Sequence, residues 1–338
     1  MNIFEKFLGP VGVMPSNQVN ASIPDDLMMR VGIPHKGGQL AIHADRQQYP
    51  AMVSASAFWD ARAGEFKIPS ATPLQAGVDW ALDSAGYTAM LNWQQKGPQA
   101  GMASIFPWTY SQYIALAAEL MPTWWSAPDT CCEPAVAANQ EEIDWRIRVT
   151  GTLLHGTLQT IYEWQEELSK DTSESTVASM LRPCVGILQG WRISDYLRSL
   201  DMLMDVWDYW SACSPVGADG KRWLAPPALI GLGSVCRREP NHPEHGLFAI
   251  LDQLAGRLPK GCMLHLFGVK GTALERVRMY DFVASVDSMA FDVTARVKAR
   301  QSNISNSMAH RKTEMTRWMD VAAERMKPKA GDQFRLSF

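Results

Sequence analysis

Four polar residues stand where apolar runs give way to turns: Asp83 in WALDSAGY, Asp129 in SAPDTCCEP, Gln189 in GILQGW and Asp287 in SVDSMAF. If each run is a strand of a parallel sheet, these side chains gather at one end of that sheet and form a pocket. Two carboxylates facing one glycosidic carbon can divide the work of breaking its bond. One attacks C1′ as a nucleophile while the other handles the proton on the departing or arriving base. Each aspartate taken alone has a plainer reading, because an Asp at a strand end often caps the following helix.

The elements that must position these groups follow a repeated plan of short apolar run, polar or glycine-bearing turn, then longer helical pattern. The runs that read as strands are 51–58, 80–83, 123–129, 183–189, 228–235, 262–269 and 282–289. An eighth falls near 204–210, although DMLMDVWDYW reads equally well as the end of a helix. Residues 141–168 carry apolar positions at helical spacing, and 169–176 form their exposed exit. This alternation predicts an α/β fold, a TIM-like (β/α)8 barrel over 51–300. An open doubly wound sheet is the competitor, but GLGSV lacks the third glycine of a dinucleotide turn. Residues 1–50, with five prolines, read as an irregular arm. Residues 301–338 read as a basic helical segment. From Arg296 onward ten basic residues face four acidic ones, and a helix over 304–326 with one basic side suits either a phosphate backbone or plain solvent.

A chain of 338 residues, 46% of them apolar, can bury a large core. Its net charge of −3 does not mark a polyanion binder, so any nucleic-acid contact must be local. The six cysteines form no CxxC pair, and the neighbours Cys131 and Cys132 suit a structural or pocket-lining role better than a strained disulfide. His265 reads as a core histidine, and His242 and His245 lack companion ligands, so no metal is assigned. Neither a signal peptide nor a membrane span is legible, which predicts a cytoplasmic protein with reduced thiols.

Six segments, in chain order over 80–300, resemble motifs of the tRNA-guanine transglycosylases. WALDSAGYTAM is similar to their DSGG(F/Y) motif, with Ala85 in place of the first glycine. SAPDTCCEP resembles their base-recognition acid with its cysteine, VGILQGWRISDYLR their glutamine-glycine segment and LIGLGSV the glycine-rich strand after it. HLFGVK resembles the (M/F)GVG turn, and SVDSMAFDVTAR the nucleophile strand. The resemblance implies that Asp287 is the nucleophile and Asp83 the general acid/base. It implies that Asp129 and Gln189 hydrogen-bond the purine edge with backbone groups around Gly231 and Gly233, and that Tyr87 and Phe267 stack on its faces.

The departures are informative. Where the tRNA-acting enzymes carry a CxCxxC-plus-histidine zinc site, this chain has QSNISNSMAHRKTEMTRW. Cys236 stands where queuosine-type enzymes carry a glutamate that reads an aminomethyl group, which favours a smaller substituent such as that of 7-cyano-7-deazaguanine. GLGSVCRRE and DSMAF look more like the DpdA proteins, which put 7-deazaguanines into DNA. The resemblance therefore implies a pentosyltransferase that needs no cofactor, has DNA as partner (alternatively tRNA) and works with or without partner modification proteins. Arg237, Arg238 and Arg296 are the expected phosphate contacts. The rivals are a zinc-less tRNA enzyme, a non-catalytic nucleic-acid-binding barrel, and a sugar-processing barrel with platforms at Trp124, Trp125, Trp207 and Trp210.

Overall fold

The structure is a computed structural model that describes residues 27–34, 38–69, 73–74, 79–168, 184–214, 216, 222, 224–236 and 238–329. Its main sheet is parallel throughout and is built from β1 (Met28–Ile33), β2 (Ala51–Ser54), β5 (Trp80–Asp83), β6 (Trp124–Ser126), β7 (Cys184–Val185), β8 (Ile187–Leu188), β9 (Leu229–Leu232), β10 (Met263–Leu266) and β11 (Val283–Ser288). A small antiparallel hairpin, β3 (Trp59–Asp60) and β4 (Glu65–Phe66), lies outside it. The strand order is β7-β6-β5-β2-β1-β11-β10-β9-β8. Its two ends, β7 and β8, are halves of one strand interrupted at Gly186, so the sheet curls back on itself into a nearly closed TIM-like barrel.

Alternation along the strands sorts their side chains. Met29, Val31 and Ile33 of β1, Ala51 and Val53 of β2, and Trp80 and Leu82 of β5 join the large core beneath the helices. Met52, Ala81, Trp124, Val185 and Ile187 form a separate cluster that fills the barrel interior. Each fully buried large side chain of this kind contributes roughly 1.5–3 kcal/mol. The outer layer comprises α1 (Gln39–Arg46), α2 (Gly86–Lys96), α3 (Tyr110–Leu120), α4 (Gln140–Leu168), α5 (Ile193–Cys213), α6 (Leu247–Leu254), α7 (Leu274–Val277), α8 (Ala290–Gln301) and α9 (Met308–Met326). A capping box at Thr109 and Gln112 starts α3, and the Ser307 hydroxyl caps α9.

Seven of the strands expected from sequence are present, all but the one at 80–83 shortened at their ends, but the eighth is not at 204–210, which lies inside α5. It is β1, in a region expected to be irregular through residue 50. Two features hide it: the flanking prolines Pro24 and Pro34, and the charged Arg30 at an inward position where an apolar residue would be expected. The expected arm therefore gives way to barrel structure over β1 and α1, while residues 1–26 and the expected exit at 169–176 lie outside the described residues.

In the C-terminal segment the structure places the helix α9. Helix α9 packs on β1, α1 and α7, with Met315, Met319 and Ala322 buried. Much of its charge is consumed internally: Arg311 is buried in a pair with Asp292 (2.6 Å), and Lys298 and Arg317 both bind the buried Glu314 at 2.7 and 2.8 Å. Among the described residues no helix is long and apolar enough to cross a membrane. Trp124, Trp125, Trp207 and Trp210 are all buried, which leaves a sugar-processing cleft without its aromatic platforms.

Candidate active site

The barrel brings the four polar strand ends to one mouth. Asp83 ends β5, Asp287 is the penultimate residue of β11, and Asp129 and Gln189 follow β6 and β8. A cavity at this mouth is lined by Asp83, Tyr87, Asp129, Gln189, Gly233 and Phe267 among others. Asp287 stands beside this cavity, close enough for its charge to act on Asp83. Gly231 does not line it.

Asp287 is held from below. The Gly268 amide donates to its Oδ1 at 2.8 Å, and Gly268 adopts φ +71°, a left-handed conformation that glycine enters without strain. His265 Nε2 lies 3.4 Å from the same oxygen, while His265 Nδ1 is 2.8 Å from the Ser285 hydroxyl. Burial lowers the pKa of His265, against the pull of Asp287, so the neutral ring is the favoured form. A neutral ring whose Nδ1 accepts the Ser285 hydroxyl proton presents Nε2–H to the carboxylate. His265 is thus a core histidine that also faces the expected nucleophile. Across the β1–β11 register from Asp287 sits Arg30, 3% exposed and bound to Asp79 at 2.7 Å, which places a fixed positive charge under the site.

The surroundings of Asp83 are different. Burial, reinforced by the charges of Asp129 and Asp287, pushes its carboxyl up to about 7, outweighing hydrogen bonds from the Ala85 amide and Ser54. Ala85 itself sits at φ 69°, ψ 30°, where a side chain costs about 1–2 kcal/mol relative to the right-handed region. This is the position where the resembling motif carries glycine. The next residue, Gly86, has no such latitude, since a Cβ there would meet the Asp129 carbonyl oxygen at 2.5 Å.

Asp129 and Gln189 face each other, and the Gln189 amide donates to Asp129 Oδ2. Ser84 donates to Asp129 Oδ1 at 2.7 Å, and Ser234 donates to Gln189 Oε1 at 2.5 Å. Burial raises the Asp129 pKa to about 6 even though the Ser84 and Gln189 hydrogen bonds oppose the shift. The glycines make room: a Cβ on Gly233 would collide with the Gln189 amide, and one on Gly231 would meet the Phe267 ring at 2.5 Å. Gly231 therefore seats the ring of Phe267 instead of forming part of the cavity wall.

The expected phosphate contacts fare worse. Arg238 is 2% exposed; its guanidinium binds the carbonyls of Ser234, Trp191 and His245 and the Tyr196 hydroxyl, and it lies 4.4 Å from the Trp191 ring centroid. Five N–H donors make Arg the residue that can tie several loop carbonyls together, and here that leaves none for a phosphate. Arg237 lies outside the described residues. Arg296 is on α8 with its side chain 59% exposed and paired to Asp292 at 3.2 Å. Replacing Arg238 by Met should cost about 3 kcal/mol or more of stability, because buried carbonyls lose their donors. Denaturant melts check this; an unchanged midpoint with weakened DNA binding would restore the phosphate role.

Four site residues escaped the sequence reading: Arg30, Ser84, Ser234 and Glu133. Arg30 lay in the misread segment, and the serines carry no distinctive spacing. Glu133 was visible two places after Cys131 in SAPDTCCEP, and the structure puts both in the cavity wall. Among the described residues no group of three or more His, Cys, Asp or Glu is placed to hold a metal ion.

A family model described as DpdA, DeoxyPurine in DNA protein A, matches residues 61–329, most of the chain. No curated protein matches it.

Proposed function

The chain belongs to the DpdA family, whose description concerns deoxypurines in DNA, and from that membership we propose that it exchanges guanine in DNA for a 7-deazaguanine by way of a covalent aspartyl–sugar intermediate. The reading makes it a pentosyltransferase of the cytoplasm, with 7-cyano-7-deazaguanine as the incoming base. One observation carries it: two carboxylates in different environments stand at the mouth of one cavity, one hydrogen-bonded and across from a buried arginine, the other pushed up to about 7.

The steps follow from those environments. Asp287 attacks C1′, the bond from C1′ to N9 breaks, and guanine leaves with a proton from Asp83. The incoming base then gives its N9 proton to the Asp83 carboxylate and attacks C1′, which releases Asp287 as a carboxylate. One glycosidic bond replaces another, so neither redox cofactor nor triphosphate enters the balance. Asp129 and Gln189 read the edge of the base, Tyr87 and Phe267 pack on its faces, and Arg296 is the remaining described candidate for a phosphate contact. A nucleotide has to leave the duplex stack to reach a cavity of this kind.

Incubation of the full chain with labelled guanine tests the proposal, with DNA and tRNA in parallel. Label should enter DNA, and nucleoside mass spectrometry of DNA from cells supplied with the deazaguanine should find the modified deoxynucleoside. Label in tRNA alone would move the activity to RNA, and label in neither would end the exchange reading.

A further inference from the structure

Glu133 is a buried carboxylate in the cavity wall, and the exchange chemistry assigns it nothing. It is 7% exposed and lines the cavity together with Asp129, Gln189 and Ser234. Its carboxylate has a poor set of donors. The Ser234 hydroxyl lies 3.3 Å from Glu133 Oε2 but 2.5 Å from Gln189 Oε1. A hydroxyl has one proton, and this one goes to the shorter partner. The Ser234 oxygen meanwhile accepts the Cys132 amide at 2.6 Å. The other contact is the Cys131 thiol, a weak donor whose own pKa is raised well above the ordinary value, first by burial and then by the charges of Glu133 and Asp129.

Asp129 differs on this point. Each of its oxygens has a short donor, Ser84 on one and Gln189 on the other. Of Asp129 and Glu133, which line the cavity with Gln189, Glu133 is therefore the one with the larger unused acceptor capacity. A carboxylate more than nine-tenths buried with so little hydrogen bonding is costly unless something that enters the cavity supplies donors.

On the base-exchange reading above, we propose that Glu133 is a specificity-determining residue that accepts an N–H from the base in the cavity, and that it selects bases carrying an exocyclic amine. Two sources of that N–H fit the chemistry: the 2-amino group common to guanine and the 7-deazaguanines, and an amine on the 7-substituent. A linear nitrile has no N–H to give, so for a 7-cyano base the 2-amino group is the donor. Glu133 touches neither Asp83 nor Asp287 in the described contacts, so its effect belongs on binding of the base and not on the attack at C1′.

Equilibrium titration of the full chain with free bases, read as heat of binding, tests this independently of turnover. The probes are 7-cyano-7-deazaguanine, 7-aminomethyl-7-deazaguanine and 7-deazahypoxanthine, which lacks the 2-amino group. Glu133→Met, which removes the acceptor at similar volume, should bind both deazaguanines roughly ten- to hundredfold more weakly and 7-deazahypoxanthine unchanged. A loss confined to the aminomethyl base would assign the contact to the 7-substituent. Glu133→Asp, with the charge retained, should recover part of the loss, which separates recognition from damage to the fold. Equal binding of all three bases by wild type and Glu133→Met overturns the assignment while the exchange reading stands. Failure of the wild-type chain to bind any of them removes the exchange reading and this inference with it.

Discussion

Asp287→Ala should abolish guanine exchange, by on the order of 10⁴-fold or more, while the barrel stays folded. The reasoning is geometric. Asp287 is the carboxylate at the mouth that receives a backbone amide at 2.8 Å and lies across from a buried arginine. A backbone donor on one oxygen fixes the orientation of the carboxylate, which is what attack on a sugar carbon requires. Of the other carboxylates at the mouth, Asp83 and Asp129 are both pushed toward the protonated form. The decisive measurement is the adduct itself. Wild-type protein given DNA but no incoming base should shift on a denaturing gel as a covalent species, and the alanine variant should not. An adduct in Asp287→Ala would place the nucleophile elsewhere.

Asp83→Asn should slow exchange by roughly 10²–10⁴-fold, the usual range for losing a general acid or base. Its pH behaviour is the sharper test. Release of guanine needs Asp83 protonated, so that half-reaction should fade as pH rises past about 7. Capture of the incoming base needs Asp83 ionised, so that half-reaction should fade as pH drops below about 7. Asparagine should flatten both limbs. Stability moves the other way. The folded protein keeps this proton up to about pH 7, whereas an unfolded chain releases it near pH 4, at about the model-peptide value. The folded state binds more protons across that window, so stability falls as pH climbs through it, and the penalty is complete above it. Asp83→Asn should therefore melt no lower than wild type at pH 8. A variant that is both inactive and strongly destabilised there would point to a structural role for Asp83.

Most of this site could be read without coordinates, for a physical reason. A parallel barrel exports its functional groups to strand ends, so a short apolar run followed by Asp or Gln is informative by itself, and β5, β9, β10 and β11 fell where such runs predicted them. What failed were residues whose role depends on distant partners. β1 carries Arg30 where an apolar residue would have announced a strand, and the arginine is tolerable only because Asp79, from the segment before β5, pairs with it. Arg238 looked like a surface cation beside the pocket, yet its charge is spent on loop carbonyls from three segments that no local pattern could have joined to it. His265 looked inert because its relation to Asp287 crosses from β10 to β11. Charge is the least legible property in sequence, since burial and pairing decide its meaning.

Gln189 and Asp129 already satisfy one another across the cavity, and this makes the pocket intolerant of partial fits. On the base-exchange reading, an entering base that parts this latch restores the balance only if it offers a donor to the acid and an acceptor to the amide in the same pose. A heterocycle with one matching group leaves the other half of the latch dry and unmet, a penalty of about 1–3 kcal/mol. Rejection of near-miss bases is thus built into the doorway itself, ahead of any bond-making.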